Sequence, residues 1–262
     1  GRFIRRDADQ FMHLGNPESV NLYTYCLNNP IIFTDLNGED CYIFYCPEWE
    51  NEAKNDQKQL AKQYGYSRDQ VHLIPINSNQ DLRNGWNAMG TENGQQVDID
   101  TVVINSHANP RVLGYEGSKD YFTTGDISQL DNKNMDNLVL YGCNAGHADY
   151  SDDNVAASFS RKVNGAPVMA SDGTVSPNLT FFNITKRSYS SKGDKHYKDW
   201  LPENSKRKNN GWMIYQYENG QVNTEVLKDK KMNLTDMVKE LNKRRANEGR
   251  VLASCNRGIG GH

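Results

Sequence analysis

The chain has little of what marks a disulfide-stapled, membrane-spanning or nucleotide-binding protein. Its 262 residues hold five cysteines, Cys26, Cys41, Cys46, Cys143 and Cys255, an odd number at irregular spacing with no C-x-x-C pair. That pattern excludes a regular disulfide framework and a structural zinc site, and free thiols suit a reducing cytosol. No apolar run approaches the roughly 18 residues that a membrane-spanning helix requires. Neither a P-loop nor a dinucleotide fingerprint is present. The opening Gly1-Arg2-Phe3-Ile4-Arg5-Arg6 has no apolar stretch that reads as a secretory leader, and a start at glycine points to a piece of a longer chain.

Charge of one sign is also lacking. Lys and Arg number 30 against 33 Asp and Glu, a formal net charge of -3, so the whole-chain balance selects no partner. The distribution is uneven: from Lys186 to Arg250 there are 16 Lys and Arg against 9 Asp and Glu. A basic segment can attract nucleic acid or anionic lipid, but most such segments are solvated surface. Nucleic acid is therefore not expected as a partner. Composition is polar, with 36% hydrophobic and 24% charged residues and a mean hydropathy of -0.83. The apolar residues nonetheless gather in short blocks able to build a core.

Those blocks give the expected elements. Cys41–Tyr45, Val71–Ile76, Thr101–Asn105, Asn137–Tyr141 and Ala166–Ala170 are short apolar runs of strand length, and Thr101–Asn105 is dense in β-branched residues, as buried parallel strands are. Trp49–Tyr64 reads as a helix closed by Gly65, Asn79–Met89 as one closed by Gly90, and Asp153–Val163 as a third. Val112–Phe122 suggests a small hairpin. Strands alternating with helices argue for an α/β fold with a parallel sheet covered by helices on both faces. Beyond residue 175, Leu179–Tyr189 and Trp212–Tyr217 read as strands, the second ending in the turn Glu218-Asn219-Gly220. Asn233–Asn247 reads as a basic helix, capped by Asn233 or Thr235 and ended by Gly249. The last dozen residues read as disordered.

Residues 1–39 differ in character. Gly1-Arg2-Phe3-Ile4, Asn21-Leu22-Tyr23-Thr24-Tyr25, Asn28-Asn29-Pro30 and Asp35-Leu36-Asn37-Gly38 follow one another in an order that resembles the end of the Rhs-repeat-associated core of bacterial polymorphic toxins. The resemblance implies a β-cage followed by a variable effector domain, here residues 40–262. It also implies two aspartates linked to self-cleavage, which Asp7 and Asp35 match in position, although Ala8 and Leu36 stand where the family has proline. Both aspartates also fit as plain turn residues.

Chemistry concentrates at two strand ends, Asn105-Ser106-His107-Ala108 and Gly142-Cys143-Asn144-Ala145-Gly146. In an open α/β sheet the carboxyl ends of the strands border the ligand crevice, so a thiol and an imidazole placed there can face one another. A free thiol, with a pKa of about 8.5, is mostly protonated at neutral pH, and an imidazole can take its proton and later protonate a leaving amine. Gly142, Ala145 and Gly146 permit close approach to Cys143. The backbone N–H groups of Cys143 and Ala108 are candidates for an oxyanion hole. Taken alone, Cys143 also reads as a buried structural thiol and His107 as a packing histidine. Cys143, His147 and Asp149 share a C-x3-H-x-D spacing that a metal site can use, but no second cluster completes one and no metal is expected. Cys41 and Cys46, five apart on one strand, face opposite sides of it. His72, His147 and His196 read as surface or packing residues. Asp172, with Ser171 beside it, and Asp149 are candidates to contact substrate, Asp172 by accepting a Lys or Arg side chain. As solvated acidic loop residues they fit equally well.

From residue 41 to 175, the strand ending Ser106-His107-Ala108, the strand leading to Gly142-Cys143-Asn144-Ala145-Gly146, Ala156-Ala157-Ser158-Phe159 and Ala166-Pro167-Val168-Met169-Ala170-Ser171 together resemble clan CD cysteine peptidases, the caspase-like group. That group normally has glycine where this chain has Ala108. The resemblance implies a caspase-like sheet and peptide hydrolysis by Cys143 and His107 through an acyl-thioester, with no cofactor. Joined to the Rhs resemblance, it implies a secreted or injected toxin acting on a protein substrate in the cytosol of a target cell. The Rhs cage of the parent polypeptide and an immunity protein would be its partners, and the basic Lys206-Arg207-Lys208 a self-cleavage point. Two rivals stand beside it. One is a non-proteolytic toxin that binds nucleic acid or membrane through Lys239, Lys243, Arg244 and Arg245. The other is a non-peptidase acyl hydrolase or transferase using the same dyad.

Overall fold

The computed structural model describes residues 40–92, 95–96, 98–178, 188–192, 210–227 and 231–257. The Rhs-like segment with Asp7 and Asp35, the strand expected over 179–187, His196, the basic Lys206-Arg207-Lys208 and residues 258–262 lie outside the described residues.

The apolar runs do form the sheet. β1 (Asp40–Tyr45) leads through a 3-10 turn and α1 (Glu50–Tyr64) to β2 (Val71–Pro75), and then through α2 (Asn79–Ala88) and the short pair β3 (Thr91–Glu92) and β4 (Gln95–Gln96) to β5 (Ile99–Asn105). β6 (His107–Asn109), β7 (Val112–Gly114) and β8 (Tyr121–Thr123) form a small antiparallel sheet, followed by α3 (Thr124–Ser128). β9 (Asn137–Leu140), α4 (Val155–Ser160) and β10 (Val168–Ser171) complete the parallel part. β11 (Thr174–Asn178), β12 (Ser188–Lys192) and, later, β15 (Lys231–Asn233) make a second small sheet. The hairpin of β13 (Trp212–Glu218) and β14 (Gln221–Val226) closes one edge of the main sheet, and α5 (Leu234–Arg257) ends the domain.

The main sheet has seven strands in the order β14-β13-β10-β9-β5-β1-β2. β10, β9, β5, β1 and β2 run parallel, while β13 joins β10 antiparallel. Alternate residues of each strand enter opposite faces. Tyr42, Phe44, Val102, Ile104, Leu138 and Leu140 pack with Trp86, Ile127 and Phe159 of α2, α3 and α4. Ile43, Val103, Val139 and Tyr141 pack with Leu60 of α1 and with Met237, Val238 and Leu241 of α5. The expected mostly parallel α/β sheet with helices on both faces is what the chain builds.

The terminal elements depart from the sequence reading. Gly249 lies inside α5, which continues to Arg257, so the helix neither ends there nor gives way at once to an irregular tail. One glycine costs a helix only about 1 kcal/mol. Asn233 supplies the cap, its side-chain oxygen accepting from the Asp236 N–H at 2.8 Å. The helix after β9 is shorter than expected, because Asn154 caps it and Arg161 already stands at its end. No helix among the described residues is long and apolar enough to cross a membrane.

Candidate active site

The parallel strands place their carboxyl ends on one rim. The chain leaves β1 for β2 on one side and returns to β5 on the other, so strand order reverses between β1 and β5. Ligand crevices open at such a reversal. Glu48 and Trp49 follow β1, His107 follows β5, Cys143 follows β9 and Asp172 follows β10.

The loops carrying His107 and Cys143 touch directly. The β5–β9 ladder continues one step past β9, where Tyr141 N–H donates to Ile104 O at 2.9 Å. A Cβ built on Gly142 would sit 2.5 Å from the Ala108 Cβ and 3.4 Å from the Ser106 carbonyl oxygen. Only glycine leaves room for that contact, so the residue after His107 packs on the residue before Cys143. The methyl of Ala108, where the resembled family has glycine, occupies this junction.

His107 is 53% exposed in its side chain, and its Nε2 lies 3.2 Å from Glu48 Oε1. Its ring rests against Trp49, with centroids 4.7 Å apart. A carboxylate and an indole from the end of β1 thus hold the imidazole, with Nε2 directed to the carboxylate. The Cys143 thiol is partly exposed. Its Sγ accepts from the Val175 N–H at 3.4 Å and lies 3.9 Å from the Val175 carbonyl oxygen, so the backbone of β11 lines the thiol. Asn144 adopts a left-handed φ of 57°, which its short polar side chain tolerates, and its N–H donates to Gly173 O at 2.9 Å. The buried Ser106 hydroxyl and Asn144 amide nitrogen have no hydrogen-bond partner among the described residues. Unsatisfied polar groups thus bracket His107 and Cys143 in sequence.

A second layer staples the Cys143 loop. Gly146 N–H donates to Ser171 O at 2.9 Å, and Ala156 N–H to Ala145 O at 3.0 Å. The buried Tyr215 hydroxyl donates to Gly146 O and accepts from Asn154 Nδ2, each at 2.9 Å. Asp172 is 1% exposed. Its two carboxylate oxygens accept from Ala148 N–H at 2.8 Å and Asn210 N–H at 2.7 Å, joining the Cys143 loop to the start of β13. Of the residues expected to touch substrate, Asp172 and Ser171 are buried and bound to backbone, Ser171 through Gly173, whereas Asp149 is exposed.

Cys46 is a thiol of a different kind. It is fully buried at the end of β1, and burial, followed by the charge of Glu48, pushes its pKa up to about 12. Cys41 and Cys46 do enter opposite faces of the sheet. His147 is buried, its Nδ1 accepting from Asp149 N–H at 3.2 Å and its ring lying against Tyr150. Among the described residues no group of three His, Cys, Asp or Glu is placed to hold a metal ion. In α5, Arg244 pairs with Glu225 and Glu240, and Arg245 with Asp136, so these two cations are committed within the fold.

The sequence reading missed Glu48, Trp49, Val175, Asn154 and Tyr215. Glu48 and Trp49 carry a weak signal, since they follow a buried strand; the others become neighbours of the site only through tertiary pairing.

No protein-family model matches the chain, and no curated protein matches it. A solved structure described as "Structure of Protease" is similar at 12% identity over 58% of this chain and 34% of that chain, with a TM-score of 0.33. This chain therefore matches about a third of the length of that structure.

Proposed function

We propose that residues 40–262 form a cysteine endopeptidase effector in which Cys143 is the nucleophile and His107 its base. The observation that carries this reading is the interlock of Ala108 with Gly142, which sets the loops bearing imidazole and thiol side by side at the rim of one sheet. His107 removes the thiol proton and Cys143 Sγ attacks the peptide carbonyl. The oxyanion is held by the N–H groups of Cys143 and Ala108. The imidazolium protonates the departing amine, leaving an acyl-thioester. Water, deprotonated by His107, then releases the acid and frees the thiol. Glu48 holds the ring in orientation, its Oε1 3.2 Å from Nε2, in the manner of a third triad member. The Val175 N–H stabilises the thiolate.

The Rhs-like residues 1–39 support a wider reading: an effector carried by an Rhs cage, delivered to a target cell, acting on a cytosolic protein and neutralised by an immunity protein in the producer. Asp7 and Asp35 would release it. Asp149, which is exposed, would border the substrate, whereas the buried Asp172 and Ser171, expected to contact it, instead brace the loop behind Cys143. The rival reading, in which Lys239, Lys243, Arg244 and Arg245 engage nucleic acid or membrane, loses weight at Arg244 and Arg245, which pair with Glu225, Glu240 and Asp136.

Exposing a proteome to the wild-type chain and to Cys143→Ala, then sequencing new N-termini, tests the activity. Termini generated by the wild type alone are expected. Identical termini from both would remove the peptidase reading. New acyl modifications without new termini would select the transferase alternative.

A further inference from the structure

We infer that Tyr215, on the antiparallel strand β13, is a positioning residue for the Cys143 nucleophile, acting with Asn154 through the backbone of Gly146; the inference rests on the dyad reading above. Tyr215 is fully buried, and its side chain passes beneath the nucleophile loop. A Cβ on Gly146 would meet the Tyr215 ring at 3.0 Å and the Ala170 Cβ at 2.9 Å, so the loop lies tightly on both. The hydroxyl donates to Gly146 O at 2.9 Å and accepts from Asn154 Nδ2 at 2.9 Å. That same amide nitrogen donates to His147 O at 3.0 Å, while Asn154 Oδ1 caps α4 by accepting from Ala157 N–H at 2.8 Å.

Asn154 thus ties three things together: the end of the nucleophile loop, the start of α4 and the β13 tyrosine. The loop needs such a tie. Between Gly142 and Gly146 it turns sharply, with Ala145 N–H reaching Gly142 O at 3.3 Å and Asn144 in a left-handed conformation. Its other anchors are Ser171 at the end of β10, Gly173 just beyond it, and Ala156 of α4, whose N–H reaches Ala145 O. Removing the tyrosine hydroxyl frees the Gly146 carbonyl to rotate. The Cys143 Sγ then loses its fixed seat against the Val175 N–H, and the thiolate loses part of its stabilisation. A mobile nucleophile is also presented less often in the geometry that attack requires.

The experiment uses the full chain and iodoacetamide as probe. The rate of Cys143 carbamidomethylation is followed by mass spectrometry from pH 5 to pH 10, in wild type, Tyr215→Phe, Asn154→Ser and His107→Ala. Tyr215→Phe keeps the ring and loses the hydroxyl that binds Gly146 O and Asn154 Nδ2, and Asn154→Ser keeps a capping side chain. Both variants are expected to react about three- to tenfold more slowly near pH 7, the size of one neutral hydrogen bond, with rates that converge on wild type at high pH. A purely structural role would lower the melting temperature and leave the pH profile of Cys143 alone. That result in both variants overturns the inference. If His107→Ala also leaves the profile unmoved, the dyad itself fails; if His107→Ala shifts it while Tyr215→Phe and Asn154→Ser do not, only the role of Tyr215 falls.

Discussion

Gly142 shows how one missing side chain can decide a site. Its α-carbon faces the Ala108 methyl with no space for a second carbon, since a Cβ there would sit at 2.5 Å. The partner atom is a methyl fixed on a strand, not the mobile end of a long side chain. Gly142→Ala must therefore push the two loops apart, at a cost of about 1–3 kcal/mol, typical of overpacking. The same movement separates Cys143 from His107. Ala108→Gly removes the opposing methyl, so the double variant Gly142→Ala with Ala108→Gly is expected to recover most of the lost melting temperature and of the Cys143 alkylation rate. A double variant no better than Gly142→Ala alone would show that the junction is not what holds the loops. The glycine setting of Cys143 was legible in the sequence, but its reason was not: the opposing methyl comes from a residue 34 positions away that only strand pairing brings near.

Among elements, the buried strands read most clearly. β1, β5, β9 and β10 are buried along their length and appear in the sequence as continuous apolar runs, as strands covered on both faces must. Their parallel order followed from the helices between them. Short elements were harder. α3 has five residues and rests on a Thr123–Asp126 capping box rather than on any apolar period. The His107 segment is a strand, β6, because β7 pairs with it; nothing within three residues declares that. Glu48 was passed over for a similar reason, since its role depends on β1 lying next to β5. The terminal helix α5 was found but ended too early. Its seat on the sheet through Leu234, Met237, Val238 and Leu241 anchors it well before Gly249 is reached. That seat makes a prediction for the element. Leu241 is fully buried, so Leu241→Ala should cost about 2–5 kcal/mol in urea unfolding. A loss below about 1 kcal/mol would mean that α5 is not part of the cooperative core.

At the scale of the whole molecule, three buried acids favour their protons over charge. Cys46, Tyr64 and Tyr115 all have pKa values raised above their ordinary ones, in each case chiefly by burial. Glu48 adds to the effect at Cys46, and Cys46 adds to it at Tyr115. In the unfolded chain these groups lose protons with midpoints at about pH 9 to 10. In the folded chain they keep them, so through that range the folded state binds more protons and stability must fall as pH rises. Below about pH 7.5 the three groups are protonated in both states and contribute no slope. For Cys46, a shift from 9.0 to about 12 corresponds to about 1–3 kcal/mol lost by pH 11, at 1.36 kcal/mol per unit. Chemical denaturation at intervals from pH 7 to 11 should therefore show a decline that begins near pH 8, and Cys46→Ala should flatten it. Equal slopes in the variant and wild type would assign the decline elsewhere. The same protonation keeps Cys46 inert, because the thiolate is the reactive form. At pH 8 iodoacetamide should mark the partly exposed Cys143 and leave Cys46 untouched, so that the fold itself separates an accessible thiol from a buried one a few residues from the same crevice.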